Sequence, residues 1–166
     1  PAWGRWDPWS GGPPAAAVEG GRGGAGCQDP APLLFFDWDD TIMPTTWLME
    51  QGILGNDDWA VAQPSRLQSR WLAQAASAAA ATLVAAKQIG TVIVVTNADR
   101  GWIEVSCHAF MPSLFPVLEG LRLTSAKSSY AVGPPCGGAA SAWKLLAFRS
   151  EARRVLGAGV AFNTSC

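Results

Sequence analysis

The sequence has little charge of either sign and no long apolar run. Charged residues make up 15% of its 166 positions, with 12 lysines and arginines against 13 acidic residues. The usual charged share is about 25%. A net charge of −1 creates no long-range field toward polyanions, so we predict no nucleic-acid partner. Because no apolar run reaches the roughly 18 residues that a spanning helix needs, we predict no membrane partner either.

Metal-binding and disulfide patterns are also missing. The four cysteines at 27, 107, 136 and 166 form no CxxC pair, and His108 is the only histidine. Zinc sites need four such ligands at short spacings, so the pattern argues against a zinc cluster. Four cysteines in a chain of this length are also too sparse for a disulfide scaffold. Free thiols in a reducing compartment fit best, which favours the cytoplasm.

Residues 1–31 differ in composition from the rest of the chain. The first 30 residues contain eight glycines and five prolines. Such a segment buries too little apolar surface to offset the entropy lost on ordering. We therefore predict a disordered tail over 1–31 that makes almost no contact with the core, followed by one domain over 32–166.

Two apolar runs, at 33–36 and 91–95, end in polar residues. Runs without alternation are typical of strands buried on both faces, as in a parallel sheet covered by helices. The polar residues fall at the carboxyl end of each run, the edge where ligands bind in open α/β sheets. We predict an α/β fold, a Rossmann-like three-layer sandwich with a parallel sheet. Its strands are expected at 32–37, 91–96, 121–125 and 159–162, and its helices at 65–89, 101–110 and 141–156. Ser65 is predicted to cap the first of these helices, whose apolar face is expected to include Leu67, Trp71, Leu72, Ala75, Ala79 and Leu83.

The segment Asp37-Trp38-Asp39-Asp40-Thr41 directly follows the first predicted strand. Two aspartates two residues apart can project toward a common point while Trp38 turns away. Like charges this close repel each other unless a cation or a shared proton intervenes. Mg²⁺ prefers oxygen ligands, and a carboxylate can attack phosphorus as a nucleophile. The second aspartate can then serve as a general acid and base.

The same segment resembles motif I of the haloacid dehalogenase-like superfamily, an apolar strand followed by DxDxT. The resemblance continues in VIVVTNA at 92–98, which is similar to motif II, and in AWKLLAF at 142–148, which is similar to motif III. The motifs follow the family's order, and the resemblance covers about residues 32–163. Motif I is the most specific of the three. The resemblance implies a Mg²⁺-dependent phosphatase that acts through an aspartyl-phosphate, with a phosphorylated substrate of unspecified identity.

The resemblance also implies a role for each matching residue. Asp37 would be the nucleophile and a metal ligand, and Asp39 the general acid and base, with its carbonyl also reaching the metal. Thr96 would bind the transferred phosphoryl group with Asn97 beside it. Lys144 would place positive charge on the phosphoryl oxygens and on the nucleophile.

Lys127 is an alternative to Lys144, because it follows a predicted strand end at the same edge of the sheet. We favour Lys144, since a helix before the last strand is where the family carries its lysine. About fifty residues separate motif I from motif II, mostly one helix and a loop, which allows a minimal cap or none.

The chain departs from the family after its last predicted strand. Motif IV should place one or two acidic residues there, but Asn163 follows instead and no acidic residue occurs after Glu151. Either the chain stops before motif IV, which the non-methionine first residue favours, or the enzyme is weak. The alternative function is therefore a binding or regulatory module of this fold without turnover. A third interpretation is an α/β domain with no ligand, in which both motifs are coincidental.

Overall fold

The computed structural model describes residues 31–55, 62–131 and 140–157. Residues 1–30 of the predicted tail, the Gly/Pro segment at 132–138 and the predicted strand at 159–162 lie outside the described residues. The elements, in chain order, are β1 Leu33–Asp37, α1 Thr45–Glu50, α2 Arg66–Ile89, β2 Thr91–Thr96, α3 Trp102–Phe110, a 3₁₀ turn Pro112–Leu114, α4 Phe115–Leu118, β3 Arg122–Ser125, α5 Ala126–Tyr130 and α6 Ala140–Leu156.

The described strands form one parallel sheet in the order β1-β2-β3. Asp37 pairs with Val95 at the end of β1, and Thr96 pairs with Ser125 at the end of β2. The α/β prediction is thus confirmed for the sheet. The carboxyl ends of β1 and β2 lie side by side, as expected for the two polar strand ends.

Helices cover both faces of this sheet. On one face, Val92 and Val94 of β2 pack into the larger core cluster together with α2, α3 and α4. On the other face, Ile93 and Val95 pack with Ala147 of α6. Successive strand residues point to opposite faces, so an unbroken apolar run supplies both cores. The architecture is a three-layer α/β arrangement, compatible with a Rossmann-like sandwich.

Helix α2 follows the predicted capping pattern. Ser65 caps its first turn in a reciprocal capping box with Gln68, which satisfies two backbone donors that have no partner within the helix. Leu72 and Leu83 pack into the core. At its end, a side chain on Gly90 would lie 2.0 Å from the Pro32 carbonyl oxygen. Only glycine allows β1 and β2 to begin this close together.

The predicted apolar face of α2 is wrong at its first turns. Leu67 and Trp71 are 53% and 47% exposed, whereas we expected both to pack inward. Leu72, Ala76 and Leu83 form the buried face of the helix. At about 3.6 residues per turn, Trp71 is rotated about 100° from Leu72, and Leu67 lies one turn before Trp71 on the same side, so both project away from the buried face. Within the described residues, none of the helices combines the length and apolarity that crossing a membrane requires.

Candidate active site

Asp37 lies at the carboxyl end of β1 and contacts a lysine from a distant helix. Lys144 Nζ donates to Asp37 Oδ2 at 2.5 Å. The other carboxylate oxygen, Oδ1, is buried and has no hydrogen-bond partner. The Asp37 side chain as a whole is 34% exposed, so part of it faces the surface. One oxygen is thus compensated by a cation, and the other still lacks a partner.

Helix α6 brings Lys144 to this position because one of its faces is fixed to the sheet. Ala147 and Glu151 follow Lys144 at spacings of three and seven residues, on the same side of the helix, and both are buried. Glu151 accepts from Arg122 of β3 at 2.5 and 2.8 Å and from Arg154 at 3.0 Å. Burial alone raises the pKa of Glu151, but the two arginines outweigh it and hold that pKa below its usual value.

Asp39 is surrounded by neutral donors instead of a cation. Its Oδ1 accepts from Thr45 Oγ1 at 2.9 Å and from Trp102 Nε1 at 2.8 Å. Its Oδ2 accepts from Thr96 Oγ1 at 2.6 Å. These donors come from α1, α3 and the end of β2, so the Asp39 carboxylate joins three separate elements.

The two residues beside Asp39 have structural roles. Trp38 is fully buried and donates from Nε1 to Ser106 Oγ at 3.0 Å, so it turns away from the aspartates as predicted. Asp40 adopts a left-handed backbone with φ of 58°. Its carboxylate accepts from the backbone N–H and the hydroxyl of Thr46 at 2.7 and 2.6 Å. These bonds lower the pKa of Asp40 and fix the start of α1.

Thr96 and Asn97 lie at the end of β2, where we expected them to bind a phosphoryl group. The Thr96 hydroxyl donates its single hydrogen to Asp39, and its oxygen accepts from the Ala98 N–H at 2.9 Å. The Oδ1 atom of Asn97 is buried without a hydrogen-bond partner. In this conformation, therefore, Thr96 would have to redirect its hydrogen before it could bind a phosphoryl oxygen.

The two candidate lysines have different partners. Lys127 Nζ lies 2.7 Å from Asp99 Oδ2 in an exposed ion pair, whereas Lys144 contacts Asp37. The structure thus brings Lys144, and not Lys127, to the predicted nucleophile. Lys127 instead lines a cavity together with Asp39.

That cavity has a volume of about 410 Å³ and opens beside Asp39. It lies between α1, the end of β2, the start of α3 and α5. Its lining residues are Asp39, Thr45, Met49, Leu54, Gly55, Asn97, Ala98, Asp99, Trp102 and Lys127. A volume of this order falls within the range of about 300–1,000 Å³ typical of small-molecule sites.

Cys107 and His108 do not form a nucleophilic pair, as their adjacent positions on α3 indicated. Cys107 is buried, and burial raises the pKa of its thiol to about 11. Because only the thiolate is a strong nucleophile, this cysteine is unreactive near neutral pH. The His108 ring instead lies 3.8 Å from that of Phe115.

The donor chemistry around Asp37 fits a hard cation only in part. The unpaired Oδ1 of Asp37 is the type of oxygen that Mg²⁺ prefers. Among the described residues, however, no group of three or more histidine, cysteine, aspartate or glutamate side chains could surround a metal ion. Protein ligands from this part of the chain would therefore be few, and water would fill most of the coordination shell.

Two residues of this site, Thr45 and Trp102, belong to none of the motif patterns in the sequence. Thr45 lies in the Pro-Thr-Thr segment at the start of α1, which matches no motif. Trp102 is 63 positions from Asp39 in the chain. Only the pairing of β1 with β2 brings it near, so no local pattern identifies it.

No family model, curated protein or solved structure matches this chain.

Proposed function

We propose that this protein is a Mg²⁺-dependent phosphohydrolase of the haloacid dehalogenase type that acts through an aspartyl-phosphate on Asp37. The proposal rests chiefly on one contact, the 2.5 Å hydrogen bond between Lys144 and Asp37. This contact supports the match to motif III. Lys144 is predicted from a weak sequence pattern, and it lies against Asp37, the nucleophile predicted from the more specific motif I. The two residues are 107 positions apart.

In the first step a carboxylate oxygen of Asp37 attacks the phosphorus of a phosphomonoester. A new P–O bond forms to Asp37, and the bond to the leaving-group oxygen breaks. Lys144 places positive charge beside the nucleophile and the phosphoryl oxygens, where phosphoryl transfer requires it. Asp39 supplies the proton that the leaving oxygen takes up.

In the second step water attacks the phosphorus of the aspartyl-phosphate while Asp39 accepts a proton from that water. The P–O bond to Asp37 breaks, inorganic phosphate leaves and the Asp37 carboxylate is restored. Asp39 therefore gives up one proton in the first step and takes one up in the second, as general acid and base catalysis requires.

The hydrogen bond from Thr96 to Asp39 is expected to change partner when the substrate binds. Thr96 is nearly fully buried, and its oxygen is fixed by the Ala98 N–H, so its hydroxyl hydrogen can rotate while the oxygen stays in place. When a phosphoryl oxygen arrives, that hydrogen turns from Asp39 toward the substrate. Oδ2 of Asp39 is then available to carry the proton for the leaving group.

Mg²⁺ would be held by Asp37, by the carbonyl of Asp39 and by water. It would supply positive charge between the anionic carboxylate and the anionic substrate, which offsets their repulsion. With so few protein ligands among the described residues, we expect weak binding and slow turnover in millimolar Mg²⁺.

The test is hydrolysis of phenyl phosphate with Mg²⁺ or with excess chelator, using the full chain and an Asp37→Asn variant. We expect slow activity that chelator removes, and no turnover by Asp37→Asn, since an amide cannot replace the carboxylate nucleophile. Glu119→Gln, which removes an exposed carboxylate on the loop before β3, is the matched control. Activity that survives Asp37→Asn or ignores the chelator would contradict the proposal.

A second candidate function is a binding or regulatory module that keeps the anion site without turnover. Two observations favour it: the commitment of the Thr96 hydrogen to Asp39 and the small number of acidic ligands around Asp37 among the described residues. Phosphate binding measured by calorimetry, together with no hydrolysis above an Asp37→Asn background, would support this candidate over the enzyme.

A further inference from the structure

We infer that the cavity beside Asp39 is a leaving-group subsite that takes an apolar, ring-sized organic group, so that the substrates are aryl or similarly apolar phosphomonoesters. The inference rests on the proposed function, because it places the leaving group next to the general acid. It adds a substrate class that neither the motifs nor the contacts of Asp37 specify.

The position of the cavity supports this assignment. A general acid must lie within hydrogen-bond reach of the oxygen that it protonates, so the leaving group occupies space next to Asp39. The cavity of about 410 Å³ is lined by Asp39 itself, and also by Met49, Leu54 and Trp102. A leaving group bound there would keep its ester oxygen near the Asp39 carboxylate.

Most polar side chains of the cavity already have partners, and the exception is Asn97, whose buried Oδ1 has none. Thr45 donates its hydroxyl to Asp39, and the Trp102 ring N–H does the same. Lys127 and Asp99 form an ion pair with each other at 2.7 Å. A hydroxyl-rich leaving group such as a sugar would have to compete with these bonds, because buried polar groups lose free energy when they are left unpaired.

Among the described residues, in contrast, no side chain covers the apolar surface that Met49 contributes to the cavity. Met49 of α1 is 39% exposed although it lies beside buried Leu54 and Trp102. An aromatic ring seated against these three side chains would remove apolar area on both partners from water. At about 25 cal/mol per Å² of buried apolar surface, a ring should bind about 10- to 30-fold more tightly than a methyl group.

Non-hydrolysable phosphonates test this preference without the effect of leaving-group reactivity. Benzylphosphonate, methylphosphonate and 2,3-dihydroxypropylphosphonate are titrated calorimetrically into the full chain with Mg²⁺. We expect benzylphosphonate to bind about 10- to 30-fold more tightly than methylphosphonate. The dihydroxypropyl compound, which is hydroxyl-rich, should bind no more than about 3-fold more tightly than methylphosphonate.

Variants of Met49 then locate the ring. Met49→Ala should reduce the benzyl advantage about 3- to 5-fold and leave methylphosphonate binding unchanged, whereas Met49→Leu should retain it. Since Met49 is partly exposed, neither change should unfold the protein. Val84→Ala, which shortens an exposed apolar side chain on α2, is the matched control and should match the wild type.

The outcomes separate this inference from the proposed function. Equal affinity for benzyl- and methylphosphonate, or a benzyl advantage that Met49→Ala leaves intact, would overturn the subsite even if Asp37-dependent hydrolysis of phenyl phosphate is found. A ring preference that Met49→Ala weakens would support the subsite even if no Asp37-dependent turnover occurs, and that absence would overturn the proposed function alone. Binding of none of the three phosphonates would overturn the subsite.

Discussion

Asp37 and Asp39 lie two residues apart at the end of β1, yet their surroundings differ in kind. Asp37 contacts the charged Lys144 of α6 through one oxygen, while its other oxygen is buried without a partner. Asp39 contacts three neutral donors, one each from α1, β2 and α3. Two carboxylates in different environments can perform different tasks in one reaction. The contrast fits a nucleophile beside a positive charge and an acid–base group held in position.

The two aspartates are also contacted by different helices. Asp37 is contacted by α6, and Asp39 is contacted by α1 and α3. Because the two sets of contacts share no residue, a substitution in one set should affect one aspartate and leave the contacts of the other unchanged.

Asp39→Asn should lower kcat for phenyl phosphate by about 10²- to 10⁴-fold, because an amide can neither give nor accept the proton that Asp39 transfers. The amide nitrogen would also lie against the one or two donors of the oxygen that it replaces, so a thermal melt is needed to show that the variant is folded. Single-turnover kinetics measure the chemical step directly. A folded Asp39→Asn protein with wild-type kcat would remove Asp39 from the mechanism.

Lys144→Gln should lower kcat/KM by about 10- to 100-fold, because the nucleophile and the phosphoryl oxygens lose their positive neighbour. Steady-state kinetics at saturating Mg²⁺ provide the measurement. Lys87→Gln, which changes an exposed lysine on α2, is the matched control and should have no effect. If Lys127→Gln were more damaging than Lys144→Gln, the assignment of the two lysines would be reversed.

Trp102→Phe should lower kcat by about 3- to 10-fold with little change in KM, because it retains an aromatic side chain and removes one of the three donors to Asp39. The phenyl ring is smaller than the buried indole, so a thermal melt is needed to show that the variant is folded. Trp47→Phe, at a tryptophan whose ring lies 6.1 Å from that of Trp71, serves as the control. An unchanged kcat in Trp102→Phe would show that this hydrogen bond does not help to position Asp39.

The sheet edge could be predicted from the sequence because its signals are local. Unbroken apolar runs that end in Asp37 and Thr96 indicate buried strands and also the edge where their polar residues meet. Ser65 marked the start of α2 through its capping pattern. For these elements, neighbouring residues determine the structure almost without help from the rest of the fold.

The features that could not be predicted from the sequence depend on packing between elements that are distant in the chain. The exposure of Leu67 and Trp71 follows from the rotation of α2 about its axis, because the helix buries the side that carries Leu72 and periodicity alone does not distinguish the two sides. The hydrogen bonds that Thr45 and Trp102 donate to Asp39 need three elements to meet at one carboxylate. The choice between Lys144 and Lys127 likewise depended on which helix packs across β1, and only the contact with Asp37 distinguishes them.

The central claim is that Asp37 carries the phosphoryl group, and acid quenching during turnover tests it most directly. The full chain is mixed with radiolabelled phenyl phosphate, labelled at phosphorus, and Mg²⁺, quenched in acid and digested, and the labelled peptide is identified by mass spectrometry. We predict an acid-stable, hydroxylamine-labile label on the peptide that contains Asp37, and none in Asp37→Asn. Turnover with no label on that peptide, or a label on another residue, would contradict the account.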